Sequence, residues 1–496
     1  MIKIVRRFAA ALLIMITILP STASVSAVEE GRIHSLIPTV NMIYSGVEEY
    51  IADSLRGLET TIEVTGFGIT TNNIMNVFKS SVFSNPDIFY VDSSYINYKY
   101  DKNTNIVRYI SPSYLLSKSE IAAQKKKFNR AVNNMIGDIG EDWSDLTKAL
   151  VLHDRLVAGC EYELKNDLSY TAYSALVTKK SVCEGYSRAY SYLLSKVGID
   201  SRCLNNGSKA HCWNQVKLGD NWYHVDVTSD DPIPDTTGFV DHKYFLISDE
   251  RLASYASDTH TGHEDDITAD SEYACASTKY DSSFFRRVQS QTLYINGSYY
   301  YFNPNYQGKR YSAFIRRVNG TEKVLKLFKD IWYSASGKRY NNTYSKLCYK
   351  DGYIYFNSKR ELYRLKLSNH KINRLFTMPS FWGNDFYGIK AGSKYIYAER
   401  KKALFTSASL TKILEITSDN KVIQLPFIRC GAARLKQRKV YTMKVYRGTG
   451  KTKYKSSNPR IARVSTGGRI RGLRKGVCTV TAVKNGITMK MKIRVV

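Results

Sequence analysis

A strand–turn–strand unit centred on a glycine recurs three times between residues 285 and 428, at Gly297, Gly352 and Gly392. Tyrosine-rich segments follow each turn: Tyr299-Tyr-Tyr-Phe302, Tyr353-Ile-Tyr-Phe356 and Tyr395-Ile-Tyr397. The glycines lie 55 and 40 residues apart, which is the range of propeller blades. Three units are too few to close most propellers, so the pattern predicts a partial, propeller-like β-repeat region over 284–430. The chain holds 38 Tyr against 19 Phe and 5 Trp, a bias that suits strands with one face in water. The repeats account for under a third of 496 residues, and length alone calls for about three domains.

The N-terminus reads as a secretory signal over 1–27. Lys3, Arg6 and Arg7 supply its charged start, residues 8–19 its apolar run, and Val25-Ser26-Ala27 a small-residue cleavage site. That apolar run is short of the roughly 20 residues needed to span a bilayer, so no transmembrane helix is expected in the mature chain. The expected location is secreted or at the cell surface. Eight cysteines (160, 183, 203, 212, 275, 348, 430 and 478) are scattered rather than clustered, and no C-x-x-C occurs. A disulfide scaffold and a structural zinc site are both unexpected.

The net charge of +29 is concentrated at one end. Residues 431–496 carry 19 Lys or Arg and no Asp or Glu. For an exported protein the fitting partner is an anionic cell-envelope polymer rather than nucleic acid.

Residues 28–148 read as an accessory α+β region. Helix is predicted over 40–58, strand character at 87–91 and 95–100, a hairpin through 101–110, and a further helix over 117–135. Residues 149–283 carry the chemistry, with an Asp-, Ser- and Thr-rich linker at their end. After Cys183, apolar or small residues fall at Tyr186, Ala189, Tyr190, Leu193, Leu194 and Val197, an amphipathic helical stripe that Gly198 ends. Cys183 therefore opens a helix on its buried side, where the helix dipole favours a thiolate. Gly185 in the first turn would leave room for a substrate. Two strand segments, 210–218 and 221–228, flank Gly219-Asp220, a pair suited to a two-residue type II′ turn. Pairing 218 with 221 sets Trp213 opposite Asp226 and His211 diagonal to Asp226 on one face, within reach of an imidazole and a carboxylate. The same alternation turns Cys212 to the other face, which makes it a poor rival nucleophile. A cysteine on a helix is most often an apolar core residue, and a His–Asp strand pair is most often surface decoration. What favours chemistry is the conjunction of all three in this order.

The segments Leu152-His-Asp-Arg-Leu156, Tyr173-Ser-Ala-Leu176, Ser181-Val-Cys-Glu-Gly-Tyr186, His211-Cys-Trp-Asn214 and Trp222-Tyr-His-Val-Asp-Val-Thr228 together resemble the bacterial transglutaminase-like superfamily. The resemblance implies a papain-like α+β fold, with Cys183 as nucleophile, His211 as general base then acid, and Asp226 orienting His211. His153 and Asp154 are read as helix packing and capping. Relatives commonly carry Gln where this chain has Glu184, Ala where it has Cys212 and Trp where it has Ser229. A carboxylate at Glu184 would raise the Cys183 pKa, and loss of the Trp would open one wall of the site. The segment Tyr454-Lys-Ser-Ser-Asn-Pro-Arg-Ile-Ala-Arg-Val464 with Gly472-Leu-Arg-Lys-Gly476 is similar to group 2 bacterial immunoglobulin-like domains, which implies a β-sandwich over 431–496. The repeat region resembles Tyr-rich, propeller-like repeats of exported bacterial proteins.

The expected chemistry is acyl transfer or hydrolysis on a peptide or protein amide or carboxamide, needing no metal or organic cofactor. The alternative is a non-catalytic surface-binding protein that keeps the fold as a scaffold.

Overall fold

The computed structural model describes residues 30–34, 46–206, 211–233, 238–255, 272–304, 306–309, 311–333, 336–340, 345–402, 409–429 and 431–496. The expected signal segment, Cys430 and residues 256–271 of the 251–283 linker lie outside them. Among the described residues no helix is long and apolar enough to cross a membrane.

The chain divides into two compact units, one holding 40–82 and 90–117 with the preceding strand, the other holding 83–89 and everything from 118 onward. The first is a four-stranded antiparallel sheet in which Val91–Tyr100 and Val107–Tyr114 form the central hairpin, flanked by Glu30–His34 and Ile62–Glu63. Helix Val47–Arg56 buries Val47, Ile51, Ala52 and Leu55 on one stripe. Residues 87 and 88, expected as the start of a strand over 87–91, lie instead in a 3₁₀ turn over Pro86–Ile88, because Pro86 at its start fixes a helical φ and has no N–H for a sheet ladder.

In the second unit a helix over Lys118–Ile136 leads into helix α1 (Asp145–Val157). Helix α2 (Cys183–Ser195) then packs on an antiparallel sheet of β1 (Ser201–Asn206), β2 (His211–Leu218), β3 (Asn221–Val225) and β4 (Phe245–Ile247), ordered β4-β3-β2-β1. Tyr186, Ala189, Tyr190, Leu193 and Leu194 of α2 are fully buried, and each large apolar side chain among them contributes about 1.5–3 kcal/mol by leaving water. Gly198, at φ 79°, ends the helix segment as the sequence predicts. The hairpin register is the predicted one: Leu218 pairs with Asn221, Val216 with Tyr223 and Asn214 with Val225. Gly219 takes φ 61° while Asp220 stays at negative φ, as a type II′ turn requires.

The repeat region forms three four-stranded antiparallel meanders, spanning 293–328, 348–377 and 385–424. Asn296-Gly297 and Asp351-Gly352 both have positive φ at the two turn positions, the type I′ geometry that matches strand twist. Gly392 instead sits in a longer loop, with Ala391 paired to Ile396. The middle sheet shares Ile354 and Phe356 with a core containing Phe302 and Phe314 of the first sheet, and Tyr355 and Leu362 with one containing Phe386 and Ile396 of the third. No closed propeller or barrel forms among the described residues. The propeller-like expectation reduces to three stacked meanders, because three such sheets cannot complete a ring.

At the C-terminus, one sheet holds Ala432–Leu435, Ile487–Val495, Gly476–Lys484 and Lys453–Ser456, and a second holds Val440–Thr442, Arg469–Gly472 and Ala462–Val464. They enclose Met443, Ile470, Val480, Ala482, Met491 and Ile493. Strand alternation sends the charge outward: Lys490, Lys492 and Arg494 are exposed while Met489, Met491, Ile493 and Val495 are buried.

Candidate active site

Cys183 is the first residue of α2, and its N-cap, Val182, offers no side-chain cap. The positive end of the helix dipole therefore meets the Cys183 sulfur directly. The sulfur accepts hydrogen bonds from the Cys212 thiol, the His211 ring and the Cys212 backbone N–H. These donors and the His211 charge outweigh burial and hold the Cys183 pKa well below the ordinary thiol range. Burial alone would lower the His211 pKa, but the Asp226 charge and hydrogen bond, followed by Cys183, hold it well above normal. His211 Nε2 lies 2.7 Å from Asp226 Oδ2. Asp226 is itself buried, and Ser229 fixes it with an Oγ–H bond to Oδ2 at 2.6 Å and an N–H bond to Oδ1 at 3.0 Å. The three residues singled out by sequence are thus linked in series, Cys183 to His211 to Asp226.

Residues 133–227 match the transglutaminase-like superfamily. The match takes in Cys183, His211 and Asp226. Residues 433–495 match the group 2 bacterial Ig-like domain, so the C-terminal sandwich is of that kind. The comparison with curated proteins returned no match. Among solved structures, domains 4 and 5 of the S-layer protein SbsC share 17% identity over 20% of this chain and 64% of that one, with a TM-score of 0.14. The extracellular domain of a putative one-component system from B. thetaiotaomicron shares 10% identity over 57% of this chain and 43% of that one, with a TM-score of 0.20. The chain spans less than two thirds of either, and likenesses at these scores carry no argument about fold or function.

Within the transglutaminase-like domain, three details differ from the sequence expectations. Cys212 does point away from the strand face of His211, but that other face is the one covered by α2. Asn214, two residues on, donates Nδ2–H to Ser187 O at 3.0 Å and Ser191 Oγ at 3.3 Å. Ser187 and Ser191 are one and two turns along α2 from Cys183, so Cys212 falls against Cys183. It is the neighbour of Cys183, and its own pKa is pushed well up, first by its bond to Cys183 and then by burial. Glu184 is also not the expected charge against Cys183. Its Oε1 lies 3.2 Å from Arg188 Nη1, one turn along the helix, and both side chains are almost fully covered. Gly185 leaves no space for substrate, because a β-carbon there would meet Ser181 Oγ at 2.0 Å and the Ser169 and Thr171 carbonyls at 2.8 Å. Its bare α-carbon lets the 169–171 segment close over the helix start.

Other residues near Cys183 and His211 had no role assigned from the sequence. The Tyr162 phenol is pushed up by burial, then by Cys183, Tyr170 and Asp226. His211 stacks on Trp213 with centroids 6.0 Å apart and planes 12° from parallel. Trp213 Nε1–H donates to His224 Nδ1 at 3.1 Å, and His224 Nε2 lies 2.8 Å from Asp249 Oδ1. Cys275 completes a His224–Asp249–Cys275 group of metal-ligand type. Because Trp213 donates to Nδ1, however, Nε2 carries the proton and has no lone pair for a metal.

A second polar network lies under the site, and it gives the packing expected of His153 and Asp154 specific polar partners. Both are fully buried on α1. His153 Nδ1 is 2.9 Å from Asp154 Oδ1, and its Nε2 is 3.2 Å from Asp230 Oδ2. His242 Nε2 is 2.9 Å from the same Asp154 Oδ1, and its Nδ1 is 2.9 Å from Val288 O. Asp154 Oδ2 accepts the Thr292 N–H at 2.6 Å. His153, Asp154 and His242 have the composition of a metal site. Each of these ring nitrogens already faces a protein oxygen at hydrogen-bond distance, so the network satisfies itself as two imidazoles between two carboxylates.

Proposed function

We propose that this chain is an exported cysteine enzyme that transfers or hydrolyses acyl groups of peptide amides or carboxamides. The observation that carries this is the hydrogen-bonded series Cys183–His211–Asp226 at the start of α2. The match to the transglutaminase-like superfamily supports it, and the Ig-like domain supports a place outside the cell. The Cys183 thiolate attacks the carbonyl carbon, and His211 as imidazolium protonates the departing amine, leaving a thioester and a neutral imidazole. Water or a second amine then attacks the thioester, losing its proton to His211, and the thiolate leaves. Asp226, held by Ser229, keeps the ring oriented and compensates its charge throughout.

The test is incubation of the reduced full-length chain with a glutaminyl peptide and a primary amine, measuring ammonia release, amine incorporation and chain cleavage. Cys183→Ala is expected to remove all three signals. Iodoacetamide should alkylate Cys183 faster than a free thiol at neutral pH. Labelling at only the free-thiol rate, with no turnover, would favour the scaffold reading.

We further propose that the basic sandwich docks the enzyme on an anionic envelope polymer. Lys490, Lys492 and Arg494 form one outward row, and Arg434 pairs beside Arg494 on the neighbouring strand. The row has no acidic residue in its own domain to neutralise it. Retention on an immobilised phosphodiester polymer should fall with salt as the Debye length shrinks to about 3 Å at 1 M. Reversing the row with Lys490→Glu, Lys492→Glu and Arg494→Glu should shift elution to markedly lower salt. Unchanged elution would exclude this face.

A further inference from the structure

Cys212 places a second thiol against Cys183. Two independent observations put the sulfurs together. Asn214, on the same face of β2 as Cys212, binds the Ser187 carbonyl and Ser191 hydroxyl of α2, and stepping back one helical turn from Ser187 reaches Cys183. The two thiols are also direct hydrogen-bond partners. Neighbouring cysteines are engaged elsewhere: Cys203 Sγ lies 3.8 Å from Ser191 Oγ, Cys160 Sγ 3.9 Å from Glu161 O, and Cys275 Sγ 3.8 Å from Tyr273 O. Neither Cys183 nor Cys212 is in a disulfide. They lie on a helix and a strand that are already packed together, so a bond of about 2.05 Å needs side-chain rotation rather than refolding.

We propose that Cys183 and Cys212 are a reversible dithiol–disulfide pair, in which a hydroperoxide oxidises Cys183 and Cys212 resolves it into an intrachain disulfide that masks the nucleophile. This rests on the reading of Cys183 as the reactive thiolate. In the first step the Cys183 sulfur attacks the outer peroxide oxygen and the O–O bond breaks. The departing alkoxide takes a proton from the His211 imidazolium and leaves as an alcohol, and Cys183 becomes a sulfenic acid, oxidised by two electrons. In the second step the Cys212 sulfur attacks the Cys183 sulfur, the S–O bond breaks, and the Cys212 proton leaves with the hydroxyl as water. An external dithiol reverses the state by two thiol–disulfide exchanges and is itself oxidised to a cyclic disulfide. The contrast between the two thiols fits this division, since the Cys183 pKa is lowered and that of Cys212 raised. Without a resolving partner, a sulfenic acid proceeds to sulfinic and sulfonic acids that a dithiol cannot rescue.

The reduced full-length chain is treated with tert-butyl hydroperoxide, alkylated, and mapped by mass spectrometry without reduction, with and without later dithiothreitol. The expected result is a Cys183–Cys212 cross-linked peptide, with Cys183 alkylation lost on oxidation and restored by dithiothreitol. Cys212→Ala and Cys212→Ser should lose alkylation without recovery and accumulate Cys183 sulfinic acid. Sulfinic acid at Cys183 in the wild type without the cross-link, or equal recovery in both variants, would overturn the proposal. The wild-type map decides alone if neither variant folds. Ammonia release by the reduced protein is read separately. A cross-link in a chain that releases no ammonia leaves the pair standing and removes the acyl-transfer reading; ammonia release without a cross-link does the reverse.

Discussion

Asp154→Ala is expected to cost about 3–5 kcal/mol of the stability of the second unit, because it leaves a fully buried cation without its counter-charge. Asp154 holds three donors at once: His153, His242 and the Thr292 N–H. Water cannot replace it at sites with no exposed surface. Urea denaturation followed through Trp213 fluorescence measures the loss, and a shift worth less than about 1 kcal/mol, the level of an ordinary hydrogen bond, would refute the role. The pH dependence has a definite sign. Burial would lower the His153 pKa, but its bonds to Asp154 and Asp230 win and raise it from 6.5 to about 9. This group's contribution is complete below pH 6.5 and is lost as pH rises through about 9. Asp154 is opposite: burial would raise it, but the His242 charge and the bonds to both imidazoles lower it from 3.8 to about 2. Its contribution is complete above pH 3.8 and is lost as pH falls through about 2. Stability from this network should therefore be greatest between these windows and decline on the alkaline side well before lysines titrate.

Asp226→Asn is expected to lower kcat/KM by about 10³–10⁴, the scale seen when a triad carboxylate becomes an amide. The diagnostic is the pH profile of Cys183 alkylation. In the wild type the Asp226 charge and hydrogen bond raise the His211 pKa against burial, and the bonds from Cys212 and His211 lower that of Cys183. In the variant burial dominates, His211 loses its proton at lower pH, and the imidazolium no longer supports the thiolate. The alkylation inflection should move up towards the ordinary thiol value, with the alkaline plateau rate nearly kept. An unchanged inflection would mean that Asp226 only packs.

The parts legible in the sequence were those with a short period. The i, i+3, i+4 stripe after Cys183 gave α2 and its buried face, and period-two alternation with Gly219-Asp220 gave the β2–β3 register that brings His211 to Asp226. Alternation also told that Cys212 faces away from His211, but nothing local says which face of a sheet receives a helix. The Asp154 network was hidden for a related reason: its members Asp230, His242 and Thr292 are separated from α1 by long stretches of chain, and no periodicity links them. Gly185 showed as a small residue in a first turn, where open space and close packing look alike in sequence.

The bond from Thr292 to Asp154 has a practical consequence for anyone who would dissect this chain. A scission after residue 283 looks clean in the sequence, since chemistry ends there and repeats begin. It would nevertheless remove the amide that Asp154 Oδ2 accepts and the Val288 carbonyl that His242 Nδ1 faces, leaving charged groups unmet at the base of the helix pair. The smallest autonomous fragment around Cys183 must therefore extend at least through Thr292, and what reads as the start of the next module is the floor of this one.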